Sequence, residues 1–172
     1  MASVFISYRR QASATLAQLI AQDLRADGIE VYLDADGAED GGDFPAARLQ
    51  AINKADVFVC LIADTTFESD WVRREIEHAS LNGKPMIPVF QESYDPLAQN
   101  KAVTPHVKAL LEHDGVQVFD IKNMHVGTAI KALAQMVENT AAWHKQTPPD
   151  APPPSPALTL NIDNLAGQKI GQ

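Results

Sequence analysis

The chain has 172 residues, 45% of them hydrophobic and 21% charged, which predicts one folded domain and excludes a fully disordered chain. Its 22 acidic residues outnumber its 14 basic ones, and the net charge of −8 argues against nucleic acid and anionic membranes as partners. No apolar run is long enough to span a bilayer. The single cysteine lies in the most apolar segment and no signal-peptide pattern is seen, so we expect a reduced, cytoplasmic protein.

Strands and helices are predicted to alternate along the chain. Apolar runs predict five strands, at 4–6, 29–33, 57–62, 86–90 and 116–119. Helical spacing and capping signals predict five helices, at 15–26, 44–55, 70–81, 107–111 and 126–143. The third of these is capped by Ser69 or Asp70. Because residues 57–62 are apolar on both faces, the pattern predicts an α/β fold whose parallel sheet is covered by helices on both faces.

The composition changes near residue 146, and we expect the folded domain to occupy residues 1–146. Six of the 11 prolines fall between Pro148 and Pro156, which predicts a stiff, extended linker over 147–157. Residues 158–172 are predicted to be either a disordered tail or a strand that pairs with another chain. A further interpretation of residues 158–172 is that they are the stump of a longer protein.

Ligands of an open parallel sheet bind beyond the carboxyl ends of its strands, which selects the loops at 7–10, 34–44 and 64–71 and the loop after residue 90. None contains a glycine-rich phosphate motif. The acidic loop after Asp34 lacks the final glutamate of a calcium-binding EF-hand, and the five histidines lack metal-ligand spacing. A phospho-receiver domain needs carboxylates where Arg9 and Arg10 stand. We therefore predict no metal site.

Trp71 and Glu75 are four residues apart in the predicted third helix. An indole and a carboxylate at this spacing share one helical face. Spacing alone favours a structural interpretation, with a partly buried tryptophan and a glutamate at the surface.

Several segments, in the same order as in TIR domains, carry a resemblance to that family from residue 4 to about residue 143. They are VFISYRR (4–10), GIEVYLDADGAEDGGDF (28–44), AINKADVFVCLI (51–62), the Trp71–Glu75 pair and GKPMIPV (83–89). The first segment and the one around Trp71 resemble the NAD-cleaving branch of the family most. The resemblance implies a flavodoxin-like TIR fold, NAD⁺ glycohydrolase or cyclase activity, and a role in antiphage or cell-suicide immunity with activation by self-assembly.

The resemblance also implies roles for individual residues. Glu75 matches the catalytic glutamate of the family, and NAD⁺ is the substrate with no further cofactor. The residues that match substrate-binding positions are Tyr8, Arg9, Arg10, Asp34, Phe44 and Trp71. Phe44 and Trp71 match the nicotinamide end of the site, and Tyr8 to Arg10 match a loop that contacts the dinucleotide, in some assemblies from a neighbouring copy. In assemblies of the family, the loop before the residue that matches Phe44 packs on the next copy. In this chain that loop is more acidic than is usual in the family.

These residue types suit cleavage of an N-glycosidic bond without a metal. Nicotinamide leaves a cationic pyridinium as a neutral molecule, so no acid has to protonate it. A carboxylate can stabilise the oxocarbenium-like transition state, an aromatic ring can stack on the cation, and arginines can pair with the pyrophosphate.

Two other functions are consistent with the same sequence. One is a non-catalytic module that works through TIR–TIR contacts, and the other is an enzyme that cleaves other N-glycosides. The expected partners are NAD⁺, further copies of the chain, and a separate sensor protein or domain.

Overall fold

The computed structural model describes residues 1–33, 46–95, 103–118 and 126–147. In these ranges five strands form one sheet: β1 (Ser3–Ser7), β2 (Glu30–Leu33), β3 (Val57–Ile62), β4 (Met86–Gln91) and β5 (Val116–Val118). Their order across the sheet is β2-β1-β3-β4-β5, and every neighbouring pair is parallel. The predicted five-stranded parallel sheet with helices is therefore confirmed.

The helices agree with the predicted ones in number and order, but not in every boundary. They are α1 (Arg10–Ala26), α2 (Ala46–Lys54), α3 (Asp70–Leu81), α4 (Pro105–Leu111) and α5 (Val126–Gln146), with a short 3-10 helix at Thr66–Glu68 that was not predicted. No described helix is both long and apolar enough to cross a membrane.

The prediction that the first helix begins at residue 15 was wrong, because α1 begins at Arg10. The carbonyl of Arg9 accepts hydrogen bonds from the amides of Ala12 and Ser13, which closes the first turn. No glycine or proline interrupts residues 10–14, so the helix extends ahead of its first large apolar residue, Leu16. At the other end of the domain, α5 runs three residues beyond the predicted Trp143.

The two faces of the sheet bury two separate hydrophobic clusters. In β3, Val57, Val59 and Leu61 pack with α1 and α5, whereas Phe58, Cys60 and Ile62 pack with α2, α3 and α4. This alternation is why the strand is apolar at every position, as a central parallel strand requires.

The chain reverses its direction of winding at β1, since β2 lies on one side of β1 and β3 lies on the other. In open α/β sheets this switch point opens a crevice at the carboxyl ends of the two central strands. Ser7, the last residue of β1, is in register with Cys60 of β3 at this edge.

Helix α3 has the boundaries that its sequence signals predict. The Ser69 side chain accepts a hydrogen bond from the amide of Val72 at 3.4 Å, so Ser69 is the N-cap. The helix ends before Gly83, whose φ of +62° lies in the left-handed region that favours glycine. These two signals fix where the side chains of α3 meet the sheet.

The predictions for Asp34, Phe44, the acidic loop between them, and nearly all of the linker and tail lie outside the described residues.

Candidate functional site

Glu75 is the buried carboxylate at the switch-point edge, with only 3% of the residue exposed. It lies on the inner face of α3, where Val72 and Ile76 are also buried. Ser7 donates a hydrogen bond from Oγ to Glu75 Oε2 over 2.5 Å, and Arg48 Nη1 lies 3.2 Å from Glu75 Oε1. Each carboxylate oxygen therefore has its own partner.

Ser7 reaches Glu75 because of the alternation of side chains along β1. Phe5 faces the cluster under α2 and α3, so Ser7, two residues on, faces the same way. Ser7 is 1% exposed, and its hydroxyl pairs with the carboxylate across the gap between the sheet and α3. The strand thus places a donor at the base of the site.

Arg48 links the two residues that the sequence singled out. Its guanidinium carbon lies 5.0 Å from the centre of a Trp71 ring, within the range of a cation–π interaction. The same guanidinium pairs with Glu75, and the Arg48 side chain is only 9% exposed. Trp71, which is half-buried, and Glu75 therefore share one face of α3, as predicted, with Arg48 of α2 against both.

Cys60 is the buried thiol at the base of this site. Burial and the nearby charge of Glu75 raise its pKa far above the usual range, and the hydrogen bond with Ser7 only partly opposes this effect. A raised pKa makes a thiol a weaker nucleophile at neutral pH, because the thiolate is the reactive form. Within the described ranges, no three side chains of the His, Cys, Asp and Glu types come together to form a metal site.

Arg9 ties the β1–α1 connection to the loop that follows β3. Its Nη1 donates to the carbonyl of Thr65 over 2.8 Å and to Glu68 Oε2 over 2.7 Å. Its Nη2 donates to Gln11 Oε1 over 3.3 Å. Arg9 thus has a structural role that its sequence context did not predict.

The remaining residues of the first loop have different surroundings. Tyr8 is half-buried and packs against the cluster under α1 and α5. Arg10 is exposed and is the first residue of α1. The predicted contacts of Tyr8, Arg9 and Arg10 with a dinucleotide stay predictions.

Sequence reasoning missed both partners of Glu75, although each has a signal in the sequence. Ser7 is a polar residue that continues the inward alternation of a buried strand, and such a residue needs a polar partner. Arg48 is four residues before the buried Ile52, so the two share one face of α2. An arginine on the inner face of a helix requires an anion, and Glu75 supplies it.

The fold and the site together define a flavodoxin-like α/β protein with a buried polar cluster at the switch point of its sheet. Residues 4–105 match the family described as TIR domain, and the chain belongs to that family. The resemblance predicted from the sequence is thus confirmed.

Curated relatives of the chain carry the name of an enzyme. The chain is 25% identical to the NAD(+) hydrolase tir-1 of Caenorhabditis elegans over 154 residues, which cover 84% of this chain and 16% of the relative. It is 31% identical to the NAD(+) hydrolase sarm1 of Drosophila melanogaster over 100 residues, which cover 54% of this chain and 7% of the relative. The chain thus spans less than a fifth of the length of these two relatives.

Among solved structures, the TIR domains of the activated Roq1 resistosome, which recognises the pathogen effector XopQ, share this fold. The TM-score is 0.62 at 17% sequence identity, over 80% of this chain and 99% of the other. At that identity the likeness extends to the fold alone.

Proposed function

We propose that this TIR domain cleaves NAD⁺ at the bond between nicotinamide and ribose. The products are nicotinamide and either ADP-ribose or a cyclic isomer of it. The observation that carries the proposal is the buried Glu75 carboxylate, one helical turn from the half-buried Trp71, at the ligand-binding edge of the sheet. The names of the two curated relatives, both NAD(+) hydrolases, support the same activity.

The bond breaks heterolytically, and its electron pair leaves with nicotinamide. This neutralises the pyridinium and leaves positive charge on the ribose, which the Glu75 carboxylate stabilises. Trp71 stacks on the cationic ring before it leaves. Water then adds to the ribose and loses one proton to give ADP-ribose, or an adenine nitrogen adds to give the cyclic product.

The rest of the dinucleotide is proposed to extend along the first loop. Arg10 is exposed at the N-terminal end of α1 and supplies positive charge for the pyrophosphate. Arg9 already donates hydrogen bonds to Thr65, Glu68 and Gln11. Because a guanidinium has five N–H groups, Arg9 contributes to binding of the pyrophosphate with the remaining ones. Tyr8, Asp34 and Phe44 complete the proposed set of binding residues.

We further propose that the domain acts in antiphage or cell-suicide immunity and is activated when copies assemble through TIR–TIR contacts, brought together by a sensor protein or domain. A site completed by a second copy has a specific activity that rises with protein concentration.

A non-catalytic TIR–TIR module is the second candidate. The observation in its favour is that both oxygens of Glu75 are occupied by Ser7 and Arg48, so the carboxylate is not open to a ligand in this state. In this case NAD⁺ stays intact under every condition, while a partner TIR domain changes the sedimentation of the protein.

The test is to incubate the purified protein with NAD⁺ across a wide range of protein concentrations, with and without a crowding agent, and to identify products by liquid chromatography and mass spectrometry. We expect nicotinamide in amounts equal to ADP-ribose plus cyclic product, with specific activity rising with concentration. Intact NAD⁺ at every concentration would contradict the proposal. Cleavage of deoxynucleosides in place of NAD⁺ would indicate an enzyme for other N-glycosides.

A further inference from the structure

Arg48 contacts both groups that the proposed function assigns to the cation of the substrate. Its guanidinium lies over Trp71, with 5.0 Å between the guanidinium carbon and the ring centre. It also lies 3.2 Å from the Glu75 carboxylate. A pyridinium that stacks on this indole, with its ribose facing this carboxylate, makes the same two kinds of interaction.

Arg48 and a pyridinium cannot both bind to Trp71 and Glu75 at the same time without strong repulsion between their positive charges. The Arg48 side chain is 9% exposed and that of Glu75 is 4% exposed, so water screens their charges poorly. A pyridinium that enters while Arg48 remains meets a like charge in this weakly screened site. Arg48 therefore has to leave before the substrate's ring takes its place.

We propose that Arg48 sets the affinity of this site for a cationic substrate, because its guanidinium occupies the indole and the carboxylate until the substrate displaces it. This inference rests on the proposed cleavage of NAD⁺ and adds a specificity-determining residue to it. The structure corresponds to the resting state, in which the Arg48 guanidinium occupies the position that the pyridinium of the substrate takes when it binds.

The position of Arg48 allows this exchange without unfolding of the site. It lies in the first turn of α2, beside Ala46 and Ala47, which are exposed in the described part of the chain. Ser7 continues to hold Glu75 Oε2 when Arg48 releases Oε1. The carboxylate therefore keeps its hydrogen bond from Ser7 while the substrate takes the place of Arg48.

The test is to measure dissociation constants by calorimetry for two dinucleotides. One is carba-NAD⁺, a carbocyclic analogue that keeps the pyridinium cation but has no cleavable N-glycosidic bond, and the other is NADH, whose dihydronicotinamide is neutral. Arg48→Gln is compared with the wild type and with Arg74→Gln, which removes the same charge from an exposed position of α3. The two variants have equal net charge, so a difference between them reports on the site.

We expect Arg48→Gln to bind carba-NAD⁺ about tenfold more tightly than the wild type, with NADH changed less than about twofold. Arg74→Gln should leave both constants within about twofold of the wild type. Arg48→Lys keeps the charge but loses the planar fork, so we expect a gain of about threefold. Circular dichroism checks that each variant is folded. If Arg48→Gln does not fold, the comparison is made with Arg48→Lys instead.

Equal or weaker binding of carba-NAD⁺ by the folded Arg48 variants would overturn the inference. So would a gain of the same size for NADH, because the effect would then not depend on the cation. If the wild type cleaves NAD⁺ and the variants show no gain, only the role of Arg48 fails. If the wild type neither cleaves NAD⁺ nor binds carba-NAD⁺, the proposed function fails and the inference fails with it.

Discussion

At the scale of single residues, the central feature is a glutamate buried against the sheet. Burial of an ionised carboxylate is costly unless it is paired and hydrogen-bonded, and Glu75 has an ion pair on one oxygen and a hydroxyl on the other. Such an arrangement stabilises the fold less than an apolar side chain of similar size often does. Its presence at the ligand-binding edge is consistent with a functional role for Glu75.

We predict that Ser7→Ala destabilises the protein, because Glu75 Oε2 then lacks its buried donor. The expected loss in the free energy of unfolding is about 1–3 kcal/mol, measured by urea denaturation at neutral pH. The same substitution in a Glu75→Gln background should cost less, since a neutral amide oxygen is a weaker acceptor than a carboxylate. An equal cost in both backgrounds would contradict a direct Ser7–Glu75 interaction.

The sequence predicted the shared face of Trp71 and Glu75, because four-residue spacing in a helix is a local property. It could not predict that Glu75 is buried, since glutamate is ordinarily exposed. The burial depends on how α2 docks beside α3 and brings Arg48 to the carboxylate. That arrangement is tertiary, and no local pattern contains it.

At the scale of elements, the packing of β5 on β4 depends on a glycine that precedes β5. A Cβ atom built on Gly115 lies 2.2 Å from the carbonyl oxygen of Pro88, in β4, so the backbone has to shift to accept any side chain. We predict that Gly115→Ala lowers the free energy of unfolding by about 1–3 kcal/mol, measured by denaturation.

Gly127→Ala is the matched control for that prediction. Gly127 lies in α5, and a Cβ built on it meets no atom of the described structure within 4 Å. Alanine favours a helix over glycine by about 0.5–1 kcal/mol, so this variant should be as stable as the wild type or slightly more stable. Equal stability of the two variants would contradict a specific close approach at Gly115.

Strands were easier to predict than helix starts in this fold. The strands are apolar runs, and β3 matches its predicted range because it is buried on both faces. The start of α1 was missed because its first turn, from Arg10, is held by backbone hydrogen bonds to Arg9 and has no apolar periodicity. The order of the strands follows from the chain reversal at β1, which the pattern of elements alone does not specify.

At the scale of the whole molecule, the amino ends of the strands carry a second polar cluster, whose interactions hold the fold together. Asp56 Oδ2 accepts hydrogen bonds from the Ser3 amide at 2.9 Å, from Ser3 Oγ at 3.1 Å and from Lys145 Nζ at 3.0 Å. Asp56 precedes β3, Ser3 begins β1 and Lys145 lies near the end of α5. One carboxylate thus connects three elements that are far apart in sequence.

This cluster makes stability depend on pH. Burial tends to raise the pKa of Asp56, but the hydrogen bonds from Lys145 and Ser3 outweigh it, and the pKa is lower than the usual 3.8. A lowered pKa stabilises the folded state above the unfolded value, and this contribution is lost as the pH falls through the folded value. We predict that Asp56→Asn costs about 1–2 kcal/mol at pH 7 and progressively less below about pH 4.

The measurement for Asp56 is the free energy of unfolding of the wild type and of Asp56→Asn from pH 7 to pH 2.5. The difference between the two proteins should shrink toward the acidic end. A constant difference over the whole range would contradict the role of the ionised carboxylate.

The most direct test of cleavage by Glu75 is the initial rate of nicotinamide release from NAD⁺ by the wild type, Glu75→Gln and Glu77→Gln. Glu77 is on the same helix with a side chain 55% exposed, so its variant removes the same charge outside the site. We expect Glu75→Gln to lose at least about 100-fold in rate and Glu77→Gln to stay within about twofold of the wild type. A folded Glu75→Gln protein that keeps the wild-type rate would contradict the role of this carboxylate in the reaction.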